Sequence, residues 1–138
     1  MPANAAQKCD IKGTNKSETI VGTNKAEVIC GFGGNDVIYG KGGADVLRGG
    51  SGNDRLHGGT GNDRLIGGKG DDRLIGGSGR DRLYGEAGDD TLRGSTGRDV
   101  LYGGSQRDRL YGGVGADYLV GGVGRDLGGG LRNGRRGR

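Results

Sequence analysis

Four consecutive nonapeptides decide the fold: GGSGNDRLH (49–57), GGTGNDRLI (58–66), GGKGDDRLI (67–75) and GGSGRDRLY (76–84). The phase they set extends in both directions. With the leading glycine as position one, glycine recurs at 13, 22, 31, 40, 49, 58, 67, 76, 85, 94, 103, 112 and 121, giving thirteen repeats from Gly13 to Gly129 with no insertion or deletion. An unbroken period of this kind marks a solenoid, whose units bury an apolar face only by stacking on their neighbours. Composition alone points the other way. With 37 glycines in 138 residues, 30% hydrophobic and 28% charged, the chain would read as disordered were it not for the pattern.

Each position has its own chemistry. Position six is Glu18 and Glu27 in the first two repeats and aspartate in the next eleven: Asp36, Asp45, Asp54, Asp63, Asp72, Asp81, Asp90, Asp99, Asp108, Asp117 and Asp126. Position eight is isoleucine or leucine from Ile20 to Leu119 and fails only at Gly128, so one aliphatic side chain per repeat points inward. Position four is glycine except at Lys16, Lys25 and Gln106, and position two is glycine in seven repeats. Glycine there reaches positive φ and lets backbone approach a ligand, which predicts six residues of loop and three of strand per repeat. The single proline, Pro2, lies outside the repeats, so no strand loses a ladder donor.

The unit Gly-Gly-x-Gly-x-Asp-x-aliphatic-x resembles the RTX (repeats-in-toxin) calcium-binding family. That resemblance implies an all-β fold, a right-handed parallel β-roll with two repeats per coil and two sheets of short strands. It also implies Ca2+ held between loops eighteen residues apart, with Asp54 facing the loop of Asp72, and Asp63 that of Asp81. The metal residues it implies are the eleven aspartates from Asp36 to Asp126. Loop backbone would come from Gly34, Gly43, Gly50, Gly52, Gly59, Gly61, Gly68, Gly70, Gly77, Gly79, Gly88, Gly97, Gly113, Gly115, Gly122 and Gly124. Pairing these loops gives at most about nine ions. Glu86, Ser95, Thr96 and Gln106 depart from the motif and put the sites that use them in question.

Calcium fits this composition on elementary grounds. One aliphatic side chain per nonapeptide cannot offset the entropy of ordering nine residues. A hard cation that takes six to eight oxygen ligands can supply the cohesion from carboxylates and glycine-loop carbonyls. Turn capping alone would tolerate Asn or Ser at position six, and neither occurs. An EF-hand needs acids at alternate positions and a closing Glu. The Gly-x-Gly stretches are by-products of the repeat, because no helix-forming segment follows them.

The chain divides into a lead-in segment (1–12), degenerate capping repeats (13–30) in which Lys16 and Lys25 would compete with an ion, calcium-binding repeats (31–129), and a basic flexible tail (130–138). Cys9 and Cys30 are the only cysteines; a disulfide between them needs the lead-in to bend back, and it would place the chain in an oxidising, extracytoplasmic setting. Small residues Ala3 to Ala6 suggest a mature chain whose leader is gone, and no apolar run spans a bilayer. His57 stands alone, with no partner for a triad.

Outward rows carry Arg55, Arg64, Arg73, Arg82 and Arg109 at position seven, and Tyr39, Ile66, Ile75, Tyr84, Tyr102 and Tyr111 at position nine. Cross-strand packing is their plainer use and a binding face their sharper one. Each calcium would add two charges to a chain already at +4, favouring an anionic polysaccharide or cell surface over nucleic acid as partner. The expectation is therefore a secreted, non-enzymatic calcium-binding module that folds on binding its ions. A homo-oligomer or end-to-end filament, and a tract detached from a toxin or hydrolase, are the alternatives.

Overall fold

The computed structural model describes residues 8–125, with the backbone of two further strands, 127–129 and 135–137. Eight strands come first: β1 (Ile11–Lys12), β2 (Thr19–Val21), β3 (Val28–Cys30), β4 (Val37–Tyr39), β5 (Val46–Ser51), β6 (Arg55–Thr60), β7 (Arg64–Lys69) and β8 (Arg73–Ser78). Then follow β9 (Arg82–Ala87), β10 (Thr91–Thr96), β11 (Val100–Ser105), β12 (Arg109–Val114), β13 (Tyr118–Val123), β14 (Leu127–Gly129) and β15 (Arg135–Gly137). Odd strands form one parallel sheet in the order β1-β3-β5-β7-β9-β11-β13-β15. Even strands form the other, β14-β12-β10-β8-β6-β4-β2.

The register is fixed by the nonapeptide. Leu47 pairs with Leu65, Leu56 with Leu74, and Leu65 with Leu83, so through the repeats the ladder steps by eighteen residues, two repeats to a coil, and the last step, Tyr118 to Arg135, is seventeen. The chain is thus a parallel β-roll. Its core is a single column of aliphatics contributed alternately by the two sheets, Ile20, Ile29, Ile38 and then leucines from Leu47 to Leu119, most with no exposed surface at all.

Strands are longer than the sequence predicts. From β5 to β13 each runs six residues, over positions seven to nine and then one to three of the next repeat, leaving only positions four to six as loop. Backbone accounting explains the difference. Gly50 pairs with Gly68 and Ser51 with Lys69, because stacked loops would otherwise leave buried amides and carbonyls unpaired.

The inward face holds aspartate and glycine as well as leucine. Positions six, eight and one are all buried, for example Asp63, Leu65 and Gly67. Position-one glycine is required by space, not by conformation: a Cβ on Gly58 would sit 2.5 Å from Asp63 Oδ2 and 2.6 Å from the Gly76 carbonyl. Position four needs both. Gly61 has φ 107°, and a Cβ there would strike the Gly43 carbonyl of the coil before.

The departures from the motif do not interrupt the coil. Glu86, Ser95 and Gln106 adopt φ of 77°, 87° and 77°, and Glu86 and Ser95 keep register with Gly104 and Gly113. At the N-terminal end β1 pairs with β3, and the Cys9–Cys30 disulfide closes with Cα atoms 5.8 Å apart. The lead-in bends at Asp10, as such a bond requires, and Cys30 is buried although its position faces outward. At the other end part of the basic tail contributes β15, which pairs with β13.

Candidate metal centre

The loops join the two sheets along two edges. Edge one carries Asp36, Asp54, Asp72, Asp90 and Asp108; edge two carries Asp45, Asp63, Asp81, Asp99 and Asp117. Asp126 lies outside the described residues. On each edge the aspartates reach back along the coil. The Asp36 N–H donates to Asp54 Oδ1 at 2.8 Å and the Asp54 N–H to Asp72 Oδ1 at 2.7 Å. Across the roll the Asp45 N–H donates to Asp63 Oδ1 and the Asp63 N–H to Asp81 Oδ1, both at 2.8 Å. These carboxylates do cap turns, but the turn of the preceding coil, so one oxygen of each is committed to holding adjacent loops in stack.

Oδ2 of Asp36, Asp45, Asp54, Asp63, Asp72, Asp81, Asp90 and Asp99 is buried with no hydrogen-bond donor. An orphaned buried carboxylate oxygen costs free energy on the order of 1–3 kcal/mol, more when charged, and here it recurs along both edges from Asp36 to Asp99. Burial is also the leading cause that pushes these acids above the ordinary carboxylate range. Asp54, Asp63 and Asp99 rise to about 6, Asp81 and Asp90 to about 7, and Asp72 to about 8. Loop amides pull each back down; neighbouring acids then push upward, Asp90, Asp54 and Asp71 acting on Asp72.

Carbonyl oxygens lie beside these acids. Asp63 Oδ2 and the Gly76 carbonyl both border the space where a Gly58 Cβ would stand, and Asp45 Oδ2 and the Gly58 carbonyl border that of Gly40 in the same way. Among the described residues no three Asp, Glu, His or Cys side chains converge. Most ligands of any ion would therefore be backbone carbonyls, a set of hard oxygens that suits calcium and not zinc.

A profile of the RTX calcium-binding nonapeptide repeat matches residues 12–47, 31–65, 57–92, 66–101 and 93–127. The chain belongs to that family. No curated protein matches it closely. RTX repeats bind calcium, and the orphaned Oδ2 row of this roll meets that requirement: buried, raised carboxylates that a cation would satisfy.

All the loop glycines named from the sequence take positive φ, and Gly104, at φ 102°, joins them. The two capping repeats are built differently. Glu18 and Glu27 turn onto their own loops, accepting from the Thr14 and Thr23 N–H at 2.6 and 2.8 Å, and neither adds an oxygen to the buried row without donors. Their backbone amides still donate to Asp36 and Asp45 Oδ1.

Sequence reasoning missed position five. Asn35 Oδ1 accepts from the Asn53 N–H, Asn53 Oδ1 from Asp71 and Asp71 Oδ1 from Asp89, each at 2.8–2.9 Å. Position five thus reaches forward along edge one while position six reaches back. On edge two Asn62 Oδ1 accepts from the Arg80 N–H at 2.8 Å in the same way, so the signal lay in Asn or Asp at position five, which Ala44, Arg80 and Arg98 lack. His57 stacks on Tyr39 with ring centroids 4.9 Å apart, and burial and Arg55 lower its pKa.

Proposed function

We propose that this RTX chain is a secreted calcium-dependent module, ordered outside the cell by up to about nine ions and acting there as a structural or binding element without catalysis. The observation that carries it is the row of buried Asp Oδ2 atoms without donors along both edges. When bound, calcium supplies positive charge and coordination to oxygens that the fold buries but does not satisfy. Asp36 to Asp108 on edge one and Asp45 to Asp117 on edge two would hold it, with carbonyls of position-one glycines such as Gly76. Asp126 extends edge one on the sequence pattern alone.

The chain's own groups set the coupling. Each Oδ1 stitches its loop to the one before, so the geometry of a site and the stacking of a coil are the same event. At neutral pH the carboxylates repel one another and favour the open chain. A chain of this kind can be exported unfolded and ordered where calcium is abundant. The Cys9–Cys30 bond suits an oxidising exterior. No helix among the described residues is long and apolar enough to cross a membrane.

Far-ultraviolet circular dichroism during a calcium titration tests this: β-signal should rise with the ion and vanish with chelator, and a full β-signal in excess chelator would refute it. A second use, end-to-end assembly, draws on the exposed Val114 and Val123 near the C-terminal coils. Light scattering of the calcium-loaded chain would show growth in mass with concentration, and a constant monomer mass would exclude it.

A further inference from the structure

The even-stranded sheet carries a notch that no part of the calcium scaffold uses. Along β8, β10 and β12, position seven presents Arg73, Thr91 and Arg109, and position nine presents Ile75, Arg93 and Tyr111. Parallel strands lie about 4.8 Å apart, so Thr91, a short side chain between two long ones, leaves a gap in the row. The cavity there measures about 250 Å3 and is lined chiefly by Arg73, Ile75, Thr91, Arg93, Arg109 and Tyr111. No carboxylate lines it. The Arg93 guanidinium lies 4.7 Å from the Tyr111 ring centroid, a cation–π contact that holds the side chain along the notch rim.

The odd-stranded sheet lacks this arrangement. Its arginines at position seven, Arg64 and Arg82, are immediate neighbours with no gap between them.

We propose that the notch, continued by the neighbouring Arg55 of β6, is a binding face for a linear acidic polysaccharide, one sulfate or carboxylate group seated among Arg73, Arg93 and Arg109 with Thr91 at the floor. Three guanidinium forks match an oxyanion in charge and in donor geometry. Arg55 and Arg73 stand on adjacent strands, which suits a chain of repeating charges running across the sheet. A single-stranded nucleic acid would want open aromatic faces. Here Tyr39 is covered by His57, Tyr84 by Tyr102 and Tyr111 by Arg93.

The face rests on the calcium function in one respect. Asp71 shares a groove with Arg73, and Asp89 and Asp90 share one with Arg109, so the metal-free loop edge opposes an anionic ligand. Filled loops remove that opposition.

The test uses the full calcium-loaded chain, with its β-signal and calcium uptake measured separately, binding immobilised dextran sulfate and neutral dextran. Arg73→Thr with Arg109→Thr places at both positions the residue already tolerated at 91, and should weaken dextran sulfate binding by about tenfold or more. Arg64→Thr with Arg82→Thr makes the same charge change on the other sheet and should weaken it by less than about threefold. Thr91→Leu fills the notch without removing charge and should also weaken binding; neutral dextran should not bind. Equal losses in the two double variants would overturn the proposal, as would tighter binding of a DNA oligonucleotide, or no dextran sulfate binding by chain whose β-signal and calcium uptake are intact. Loss of calcium uptake with the Arg73 and Arg109 dependence retained would remove the calcium function and leave the face standing.

Discussion

Replacing Asp63 by asparagine separates the two jobs of a position-six carboxylate. Oδ1 accepts the Asp45 N–H at 2.8 Å, and an amide oxygen can do the same. Oδ2 is buried without a donor, and with its burial the Asp63 pKa rises from 3.8 to about 6. Ionising such a group at pH 7 in the metal-free coil costs about 1.4 kcal/mol per pKa unit, so up to about 3 kcal/mol, reduced to the extent that water screens the loop edge. An asparagine bears no charge and places an amide beside the Gly76 carbonyl, so Asp63→Asn should raise the ordered fraction in chelator at pH 7. It should also shift the calcium midpoint of the β-signal to higher concentration. Asp63→Ala removes both oxygens, leaves the Asp45 amide unpaired, and should lose order with or without calcium. The assay is circular dichroism in chelator and across a calcium titration. A variant less ordered than the parent in chelator, with an unchanged calcium response, would refute the division of labour between the two oxygens.

Four further outcomes follow from the same geometry. Because Asp54, Asp63, Asp72, Asp81, Asp90 and Asp99 all have raised folded-state values between about 6 and 8, the metal-free coil binds more protons than the open chain. The stability they contribute is fully present below about pH 4 and is lost as pH rises through 6 to 8, so acidification in chelator should increase the β-signal. Leu74→Ala, at a site with no exposed surface, should lower urea resistance of the calcium-loaded chain by about 2–5 kcal/mol. Gly58→Ala should disorder its coil even though its φ suits alanine, since the added Cβ meets Asp63 Oδ2 and the Gly76 carbonyl; a wild-type calcium midpoint would count against the spatial requirement. Asp71→Asn with Asp89→Asn should weaken calcium uptake measured by isothermal titration, whereas Arg80→Asn with Arg98→Asn should strengthen it, because Asp71 and Asp89 add negative charge beside the mid-roll loops of one edge and Arg80 and Arg98 add positive charge beside those of the other.

The sequence by itself determined the coil. A nine-residue phase, held without a slip from Gly13 to Gly129, marks a solenoid with one aliphatic per repeat facing a shared core, and it places an acid in every loop. Ladder pairs such as Leu47 with Leu65 follow from that spacing once two repeats make a coil, as the family resemblance implies. The family resemblance, legible in the same nine letters, added the two-repeat coil and the ion.

Tertiary structure decided what happens between coils. The two oxygens of Asp63 differ only because the loop two repeats earlier lies against one of them, a relation across eighteen residues that no local pattern encodes. Position-one glycine looked like a turn residue and proved to be a spacer, since its neighbours are a carboxylate from its own repeat and a carbonyl from the next coil. Six-residue strands replaced the expected three because stacking pairs backbone that a single repeat would leave in a loop. The notch beside Thr91 exists only because position seven of every second repeat falls on one sheet, where a short side chain stands between two arginines that are 36 residues apart in sequence.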